Sequence, residues 1–230
     1  MSKRRAILVV VSSHDRMGDS DKPTGYWLGE VTHFHDPLAK RGFEIEVVSP
    51  KGGKPPIDPK SISRRDKVSA AFQADPALAR KLEETLTPAD VDPSAYEAIY
   101  YAGGHGAMWD LADNGELVAI AAQMHDEGRP VTAVCHGSAG LLNIPSASGN
   151  LIAGRRATGF ANLEERLIRL TKVVPFLLED ELRARGAEFS KARVPFVPHV
   201  VADAGIVTGQ NPQSARGVGE ALAELLAGGA

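Results

Sequence analysis

The chain has 230 residues, enough for one large domain with a sizeable apolar core, and we predict a single domain over residues 1–230. Its 26 basic and 29 acidic side chains give a formal net charge of −3, and the scattered basic residues argue against a nucleic-acid partner. No apolar run approaches the roughly 20 residues of a membrane span, and the first is too short for a secretory signal. The only cysteine excludes an internal disulfide and a cysteine-based zinc site. These features predict a cytoplasmic protein with no membrane partner.

Apolar runs typical of strands alternate with helical patterns along the chain. The predicted strands are Ala6 to Val11, Glu44 to Val48, Ala98 to Tyr101 and Val131 to Val134, followed by a hairpin at His199 to Ala202 and Gly205 to Thr208. This order predicts an α/β sandwich with a mainly parallel central sheet. We interpret the polar residues 50–92, which contain one helical pattern at Pro76 to Thr85, as a small cap insertion.

The first helix is predicted from apolar residues that recur at helical spacing: Trp27, Val31, Phe34 and Leu38. Thr24 is its predicted N-cap, and the helix reaches about Lys40. Glu30 lies on the flank of the apolar stripe, so its carboxylate is expected at the edge of the buried face. The last helix is predicted to begin at Asn211 and end at Gly228, with four residues facing inward: Ala215, Val218, Leu222 and Leu225.

The segment PVTAVCHGSAGLL predicts a buried strand that breaks at Cys135 into a helix beginning near Gly137. At such a turn the side chain stands above the sheet, where the following backbone N–H groups and the helix dipole favour an anion. We therefore predict that the Cys135 thiol has a pKa well below about 8.5 and acts as a nucleophilic thiolate. A lone cysteine can also be a buried packing residue, but packing does not explain the adjacent His136 and Gly137.

A second glycine-rich turn, YYAGGHGAMWDL, follows the third predicted strand. Open α/β sheets bind ligands beside the carboxyl-terminal ends of their strands, where this turn is predicted to lie. The N–H groups of Gly103 and Gly104 are therefore expected to point at a developing oxyanion. A glycine pair alone often only turns the chain. Next to Cys135, however, this pair predicts the donors of an oxyanion site.

Other patterns do not predict a metal or a cofactor. His33 and His35 lie two residues apart on a helix and face opposite flanks, so a shared metal is not expected. His14 and Asp15 could line the site, although a surface pair is the simpler interpretation. Lys54 follows two glycines but fails the phosphate-loop pattern, and no Gly-x-Gly-x-x-Gly follows the first strand.

Seven sequence blocks, in order over nearly the whole chain, resemble the ThiJ/PfpI (DJ-one) superfamily and its heat-shock-protein-thirty-one-like, glyoxalase III-like branch. They are TGYWLGEVTH, VVSPKGGKPPIDP, YYAGGHGAMWDL, VTAVCHGSAGL, ATGFANLEE, VPFLLEDELRARGAEF and IVTGQNPQSARGVGEAL. The resemblance implies a flavodoxin-like three-layer sandwich with a nucleophile elbow, a homodimer, and chemistry without a cofactor.

The resemblance also implies the residues of the site: the nucleophile Cys135, its triad partners His136 and Glu165, the carboxyl of Glu30 that hydrogen-bonds the thiol, and oxyanion donors at Gly104 and Gly137. Ser138 departs from the family pattern, which often has proline there. Glu164 precedes Glu165 directly, so a shift of one residue in the comparison would exchange their roles.

The implied activity is that of a glutathione-independent glyoxalase of the D-lactate dehydratase type, a lyase that converts methylglyoxal and related 2-oxoaldehydes to 2-hydroxy acids through Cys135. A stress chaperone, a redox sensor or a protein deglycase remain alternatives, as does a cysteine peptidase. A class I glutaminase needs a late histidine with glutamate two residues on, whereas His199 is followed by two valines.

Overall fold

The computed structural model describes residues 5–147 and 149–228 of the chain. Its strands, in chain order, are β1 (Ala6–Val10), β2 (Glu44–Val48), β3 (Tyr96–Tyr101), β4 (Val131–Val134), β5 (Pro145–Ser146), β6 (Gly149–Asn150), β7 (Arg156–Ala157), β8 (Glu188–Phe189), β9 (Val200–Asp203) and β10 (Ile206–Gly209). The central sheet has the order β2-β1-β3-β4-β10-β9, and the remaining four strands form two small pairs. Only the edge strand β9 is antiparallel in the central sheet, which confirms the predicted mainly parallel sheet and the terminal hairpin.

The helices of the described residues are α1 (Leu28–Ala39), α2 (Lys67–Ala74), α3 (Pro76–Glu83), α4 (Ala107–Asp110), α5 (Gly115–Asp126), α6 (Asn162–Leu167), α7 (Leu178–Ala184) and α8 (Ala215–Gly228). None of these helices is both long and apolar enough to cross a membrane.

Two neighbouring tyrosines on β3 show that helices cover both faces of the sheet. Tyr100 stacks on Phe34 of α1, with ring centroids 3.6 Å apart, and the Tyr101 hydroxyl donates a hydrogen bond to the Leu117 carbonyl of α5. Successive residues of a strand point to opposite faces, so α1 and α5 lie on opposite sides of the sheet. The predicted three-layer sandwich is thereby confirmed.

The first helix differs from the prediction at its start. It begins at Leu28 with Trp27 as N-cap residue, because the Thr24 hydroxyl is used elsewhere, in a hydrogen bond to Asp58 of 3.1 Å. Trp27 is only half-buried, whereas Glu30, expected at the edge of the buried face, has no exposed surface. The Glu30 side chain points along the sheet edge to the turn after β3, which removes it from solvent.

The last helix also corrects a prediction. A short 3₁₀ turn, Pro212–Ser214, follows the cap residue Asn211, and α8 begins after it. Leu225, predicted to face inward, is 41% exposed because it borders a groove at the amino-terminal ends of β4 and β10, beyond the sheet face that buries Leu222.

Residues 50–92 contain α2, which was not predicted, and α3, which covers the predicted helical pattern. The Asp66 carboxylate caps α2 by accepting hydrogen bonds from the backbone N–H groups of Val68 and Ser69, and it also contacts His33 of α1 at 3.0 Å. A bridge between Ile57 and Tyr26 holds the start of this segment against the loop before α1. Its assignment as a cap insertion in a single domain of residues 1–230 stays a prediction, and residues 1–4, 148, 229 and 230 of that range lie outside the described residues.

Candidate active site

Cys135 lies at a sharp turn between β4 and a 3₁₀ helix, Cys135–Leu141, which begins two residues earlier than predicted. Its backbone has φ = 56°, in the left-handed region that residues with a Cβ avoid at a cost of order 1–3 kcal/mol. Gly137 permits the turn to pack against β3, because a Cβ there would lie 2.3 Å from the Tyr101 carbonyl oxygen. The sequence thus folds into the predicted nucleophile elbow.

The surroundings of the thiol contradict one prediction. Cys135 is 3% exposed, and burial, together with the neighbouring Glu30 carboxyl, raises the pKa of the thiol well above its usual value. The backbone N–H of His136 acts in the opposite direction but does not outweigh this desolvation. The predicted low-pKa thiolate is therefore wrong for the resting site, because the turn buries the sulfur rather than exposing it at the helix N-terminus.

Glu30 lies beside the same sulfur and is itself fully buried. Burial raises the pKa of its carboxyl to about 8, against a smaller opposing effect from the Gly103 backbone N–H and the Cys135 thiol. Its Oε2 accepts a hydrogen bond of 2.6 Å from that N–H, while Oε1 has no hydrogen-bonding partner within the described part of the chain. The Glu30 carboxyl beside the sulfur is thus protonated near neutral pH.

His136 connects the thiol to Glu165. Its Nδ1 lies 3.3 Å from the Cys135 sulfur, and its Nε2 lies 2.8 Å from Glu165 Oε2. Burial, reinforced by the neighbouring His105, lowers the pKa of His136 to about 4, so the imidazole is neutral and able to accept a proton. Although burial opposes it, hydrogen bonding to His105 and His136 lowers the pKa of Glu165 to about 2.

The two adjacent glutamates occupy different environments. Glu165 faces His136, as predicted from the resemblance, and its Oε1 also lies 3.2 Å from His105 Nε2. Glu164 is fully buried but points away from the thiol, where its Oε1 accepts hydrogen bonds from the Phe196 N–H and the Asn211 side chain. The arrangement required of a Cys-His-Glu triad is therefore made by Glu165 and not by Glu164.

The glycine-rich turn after β3 was predicted to supply two oxyanion donors, and only one of the two N–H groups remains a candidate. The Gly103 N–H is occupied by Glu30, so its expected role as an oxyanion donor is wrong. Gly104 lines the cavity over the thiol and has φ = 101°, and a Cβ there would lie 2.3 Å from the Gly25 carbonyl oxygen. Gly137 follows His136 at the start of the 3₁₀ helix. The remaining candidate donors are therefore the N–H groups of Gly104 and Gly137.

A cavity of about 180 Å³ opens over Cys135. Its lining combines the reactive groups with apolar and polar side chains from separate parts of the chain: Trp27, Lys60, Gly104, His105, Cys135, His136, Phe160, Ile168, Phe196, Pro212 and Gln213. Lys60 comes from the segment predicted to be a cap. Glu30 is absent from this lining and lies behind the sulfur.

Residues 25–225 match the sequence profile of the DJ-1/PfpI family. The chain belongs to the DJ-1/PfpI family. It is 28% identical to glyoxalase 3 of Candida albicans over 226 residues, which cover 92% of this chain and 93% of that protein. Among solved structures, the rapid encystment protein of 24 kDa from Francisella tularensis is 38% identical with a TM-score of 0.92, over 96% of this chain and 99% of that one. Glyoxalase III from Candida albicans has a TM-score of 0.87 at 28% identity, over 95% of each chain.

His105 is the main residue of this DJ-1/PfpI site that sequence reasoning missed. It is 7% exposed, lines the cavity, and lies with its ring centroid 4.0 Å from that of His136. An ionisable side chain next to a glycine, directly after a buried strand, was the signal that identified Cys135 and His136. The same signal, applied to Gly104-His105-Gly106, would have found it.

Three other histidines considered from sequence lie outside the cavity lining. His33 pairs with Asp66, His35 packs edge-on against Phe72, and His14 stacks on Trp109. Within the described residues, the cluster with metal-ligating potential is instead His105, His136 and Glu165, whose ligand atoms lie within 4.8 Å of one another.

Proposed function

We propose that the protein is a glutathione-independent glyoxalase that converts methylglyoxal and related 2-oxoaldehydes to 2-hydroxy acids. The observation that carries the proposal is the Cys135 thiol at the elbow, which faces a small-molecule cavity with the base His136 at 3.3 Å. The name glyoxalase 3 of the similar Candida albicans protein supports the same chemistry. By the family resemblance, methylglyoxal would yield D-lactate, and the enzyme would be a lyase of the D-lactate dehydratase type.

The first step forms a hemithioacetal. The Cys135 proton moves to His136 Nδ1 as the sulfur adds to the aldehyde carbon C1, and the carbonyl oxygen becomes an alkoxide near the Gly104 and Gly137 amides. Ionised Glu165 stabilises the resulting imidazolium and holds its orientation. The alkoxide then takes the proton from His136, which is neutral again. Glu165 is thus a positioning residue, whereas Cys135 and His136 touch the reacting atoms.

The second step moves hydrogen between two substrate carbons. Neutral His136 removes the C1 proton, the electrons pass to the C2 carbonyl through an enediol, and protonation at C2 gives a thioester. Water attacks the thioester carbonyl, the C–S bond breaks, and the 2-hydroxy acid leaves with the thiol restored. C1 is oxidised as C2 is reduced, so the sequence consumes one water and needs no external oxidant or cofactor.

Glu30 has a supporting part in the proposed scheme. It is buried beside the sulfur and outside the cavity lining, so His136 is better placed to transfer protons to and from the substrate. The Glu30 carboxyl, protonated near neutral pH because burial raises its pKa to about 8, donates a hydrogen bond to the thiolate as it forms.

The test is incubation of the purified protein with methylglyoxal in the absence of glutathione. We expect methylglyoxal to disappear with equimolar formation of lactate, measured separately with D- and L-specific lactate dehydrogenases, and we expect Cys135→Ala to form less than about 1% as much. Absence of lactate, or equal formation by Cys135→Ala, would show that the glyoxalase proposal is wrong. Formation of L-lactate would contradict only the assigned product stereochemistry.

The chaperone alternative has a separate readout. Suppression of the aggregation of a heat-denatured client protein by Cys135→Ala, at the wild-type level, would establish an activity that does not use the thiol. Hydrolysis of peptide substrates by the wild type alone would favour the peptidase alternative. The glutaminase interpretation gains no support from His199, which contacts Ser190 at 2.9 Å and is absent from the cavity lining.

We further propose that the protein works as a homodimer in the cytoplasm. The family resemblance supports the dimer, and the single cysteine, used as a reduced nucleophile, suits a reducing compartment. Sedimentation velocity at micromolar concentration should give twice the mass of one chain, and the mass of a single chain would contradict the dimer.

A further inference from the structure

We propose that His105, His136 and Glu165 form a binding site for one divalent transition-metal ion, such as Zn²⁺, and that this ion blocks the thiol chemistry by occupying the histidine that serves Cys135. Binding is independent of the proposed glyoxalase activity. The inhibitory consequence rests on that activity.

The three side chains converge from separate elements. His105 follows β3, His136 follows β4 and Glu165 belongs to α6, yet their ligand atoms lie within 4.8 Å of one another. All three are buried, with exposures of 7%, 1% and 4%. Two imidazole nitrogens and one carboxylate oxygen are a set that binds Zn²⁺ and its neighbours Co²⁺, Ni²⁺ and Cu²⁺.

His105 is the residue that the triad does not require. A catalytic histidine needs one carboxylate, but here one carboxylate serves two histidines, each directing Nε2 at a different oxygen of Glu165. The two rings lie with centroids 4.0 Å apart and planes tilted by 39°. The second histidine therefore completes a two-histidine, one-carboxylate arrangement.

Two nitrogen–oxygen distances already approach those of a metal site. His136 and His105 lie 2.8 and 3.2 Å from the Glu165 oxygens. Tetrahedral Zn²⁺ with bonds of about 2.0–2.2 Å separates neighbouring ligand atoms by about 3.3 Å. For these nitrogen–oxygen pairs, a shift of roughly half an ångström or less reaches the separation of neighbouring zinc ligands. The three ligand atoms together span up to 4.8 Å, so the side chains must also draw closer around the ion.

The cavity provides access for the ion and a position for water. His105 and His136 both line the 180 Å³ cavity, whereas Glu165 lies beneath them. An ion entering from the cavity meets both rings before the carboxylate. Its fourth ligand would be water, as is usual where three side chains bind zinc.

Metal binding would change the tautomer of His136. Each Nε2 faces a carboxylate oxygen and so carries the proton, which must move to Nδ1 before Nε2 can bind a cation. In His136 that proton would then face the Cys135 sulfur, 3.3 Å away. Nδ1 could no longer accept the thiol proton, so nucleophilic attack would stop.

The same geometry excludes the thiol from the metal site. The sulfur contacts Nδ1, on the opposite side of the ring from Nε2, so one ion cannot bind both Nε2 and the thiolate. This separates the proposal from capture of metal by an active-site cysteine, the usual explanation when zinc inhibits a thiol enzyme.

The experiment titrates the full-length protein with CoCl₂, followed by visible absorption, and with ZnCl₂ against a chromophoric chelator. We expect one equivalent to bind to the wild type and to Cys135→Ala with the same affinity, and the cobalt spectrum to lack a sulfur-to-cobalt charge-transfer band. Both His105→Asn and Glu165→Gln should weaken Zn²⁺ binding at least about 100-fold. His125→Asn, on α5 away from the site, is the matched control and should bind as the wild type does.

Loss of Zn²⁺ binding in Cys135→Ala, a charge-transfer band in the wild type, or unchanged binding in His105→Asn would each overturn the proposal. Circular dichroism checks that the variants fold; if His105→Asn does not, Glu165→Gln decides. Because binding is read without substrate, these outcomes hold even if no lactate is formed. Where lactate is formed, Zn²⁺ should stop it and a chelator should restore it, and uninhibited turnover with the site filled would contradict the inhibitory role.

Discussion

Two neighbouring glutamates show how strongly function depends on one position in the sequence. Glu165 contacts His136 and His105, while Glu164 accepts hydrogen bonds from three groups that hold the loops around the cavity: the Ala161 and Phe196 backbone and the Asn211 side chain. A carboxylate oriented at a catalytic histidine affects rate, whereas one that anchors buried backbone affects stability.

We therefore expect Glu165→Gln to lower kcat by about 10³–10⁴, because an amide does not stabilise the imidazolium and disturbs the tautomer of His136. Steady-state kinetics with methylglyoxal measure this effect. Glu164→Gln is the control: it should lower the free energy of unfolding by about 1–3 kcal/mol, because a buried hydrogen bond is lost, and should change kcat much less. Equal kcat losses in both variants would contradict the assignment.

The sequence predicted which residues form the site better than it predicted their protonation states. Cys135, His136 and Glu30 are brought together as expected, because each has a local signal: an elbow, a neighbouring glycine, or a place on a helix stripe. The predicted direction of the thiol pKa shift was wrong, because desolvation depends on which residues cover the sulfur. That information resides in Glu30 and β3, far away in the sequence.

At the scale of elements, the contact between α1 and α8 positions Glu30. Gly219 of α8 approaches α1 so closely that a Cβ would lie 2.4 Å from the Phe34 carbonyl oxygen, one turn after Glu30. Phe34 in turn stacks on Tyr100, whose hydroxyl donates to the Glu30 carbonyl at 2.8 Å. The backbone of α1 at Glu30 is thus fixed from two sides.

Gly219→Ala should lower the free energy of unfolding by about 1–3 kcal/mol, because the added methyl group must push the two helices apart. The displaced α1 should also move Glu30 from the sulfur and reduce kcat. Urea denaturation and kinetics measure the two effects. Gly115→Ala is the control, since a Cβ at this first position of α5 meets nothing within 4 Å, and it should leave both quantities nearly unchanged or raise stability slightly.

The turn after β3 permits a second prediction at this scale. A Cβ on Gly103 would lie 2.7 Å from Glu30 Oε2 and 2.9 Å from the backbone nitrogens of His136 and Gly137. Gly103→Ala should therefore displace Glu30 and the elbow together and reduce kcat at least about tenfold, with a smaller effect on KM. A kcat equal to that of the wild type would show that the turn tolerates the displacement without moving the thiol.

Strand positions were predictable because buried parallel strands are continuous apolar runs, such as Ala6–Val10 and Val131–Val134. Helix α2 was missed because a helix of only eight residues, Lys67–Ala74, buries few side chains, Ser69 and Phe72 among them, and is specified chiefly by its cap Asp66. The start of α1 was misplaced for a related reason. The hydroxyl of Thr24 suits an N-cap, but a tertiary hydrogen bond to Asp58 takes it.

At the scale of the whole molecule, the site groups have opposite effects on stability as pH changes. Burial raises the pKa of Glu30 from 4.5 to about 8, so its contribution is complete below pH 4.5 and is lost as pH rises to 8. Burial lowers the pKa of His136 from 6.5 to about 4, so its contribution is present above pH 6.5 and is lost as pH falls to 4. The two slopes cancel between pH 4.5 and 6.5.

We expect the difference in unfolding free energy between the wild type and the double variant Glu30→Gln/His136→Asn to be level from pH 4.5 to 6.5. From pH 6.5 to 8 the wild type should lose about 1.4 kcal/mol per pH unit relative to the variant, because only Glu30 contributes there. Urea denaturation at half-unit intervals measures the curve. A difference that stays level to pH 8 would mean that Glu30 is already ionised in the folded protein.

The layer order of the whole molecule followed from the alternation of strands and helices, and the segment containing Lys60 could be located from its polarity. The way in which side chains close the cavity could not be predicted from the sequence. Trp27, Phe160 and Phe196 come from three separate regions, and no local pattern indicates that they line one cavity with Cys135. Such convergence is decided by packing among distant parts of the chain.

The left-handed backbone of Cys135 has a consequence for how this site would change in evolution. A position with φ = 56° at the end of a buried strand would fold more easily as glycine, so the side chain is retained there against the preference of the backbone. Loss of chemistry should therefore leave a recognisable trace: descendants released from catalysis should drift to glycine at this position, gaining stability as they lose the sulfur. The sharp backbone turn at this position would remain in those descendants after the catalytic activity is lost.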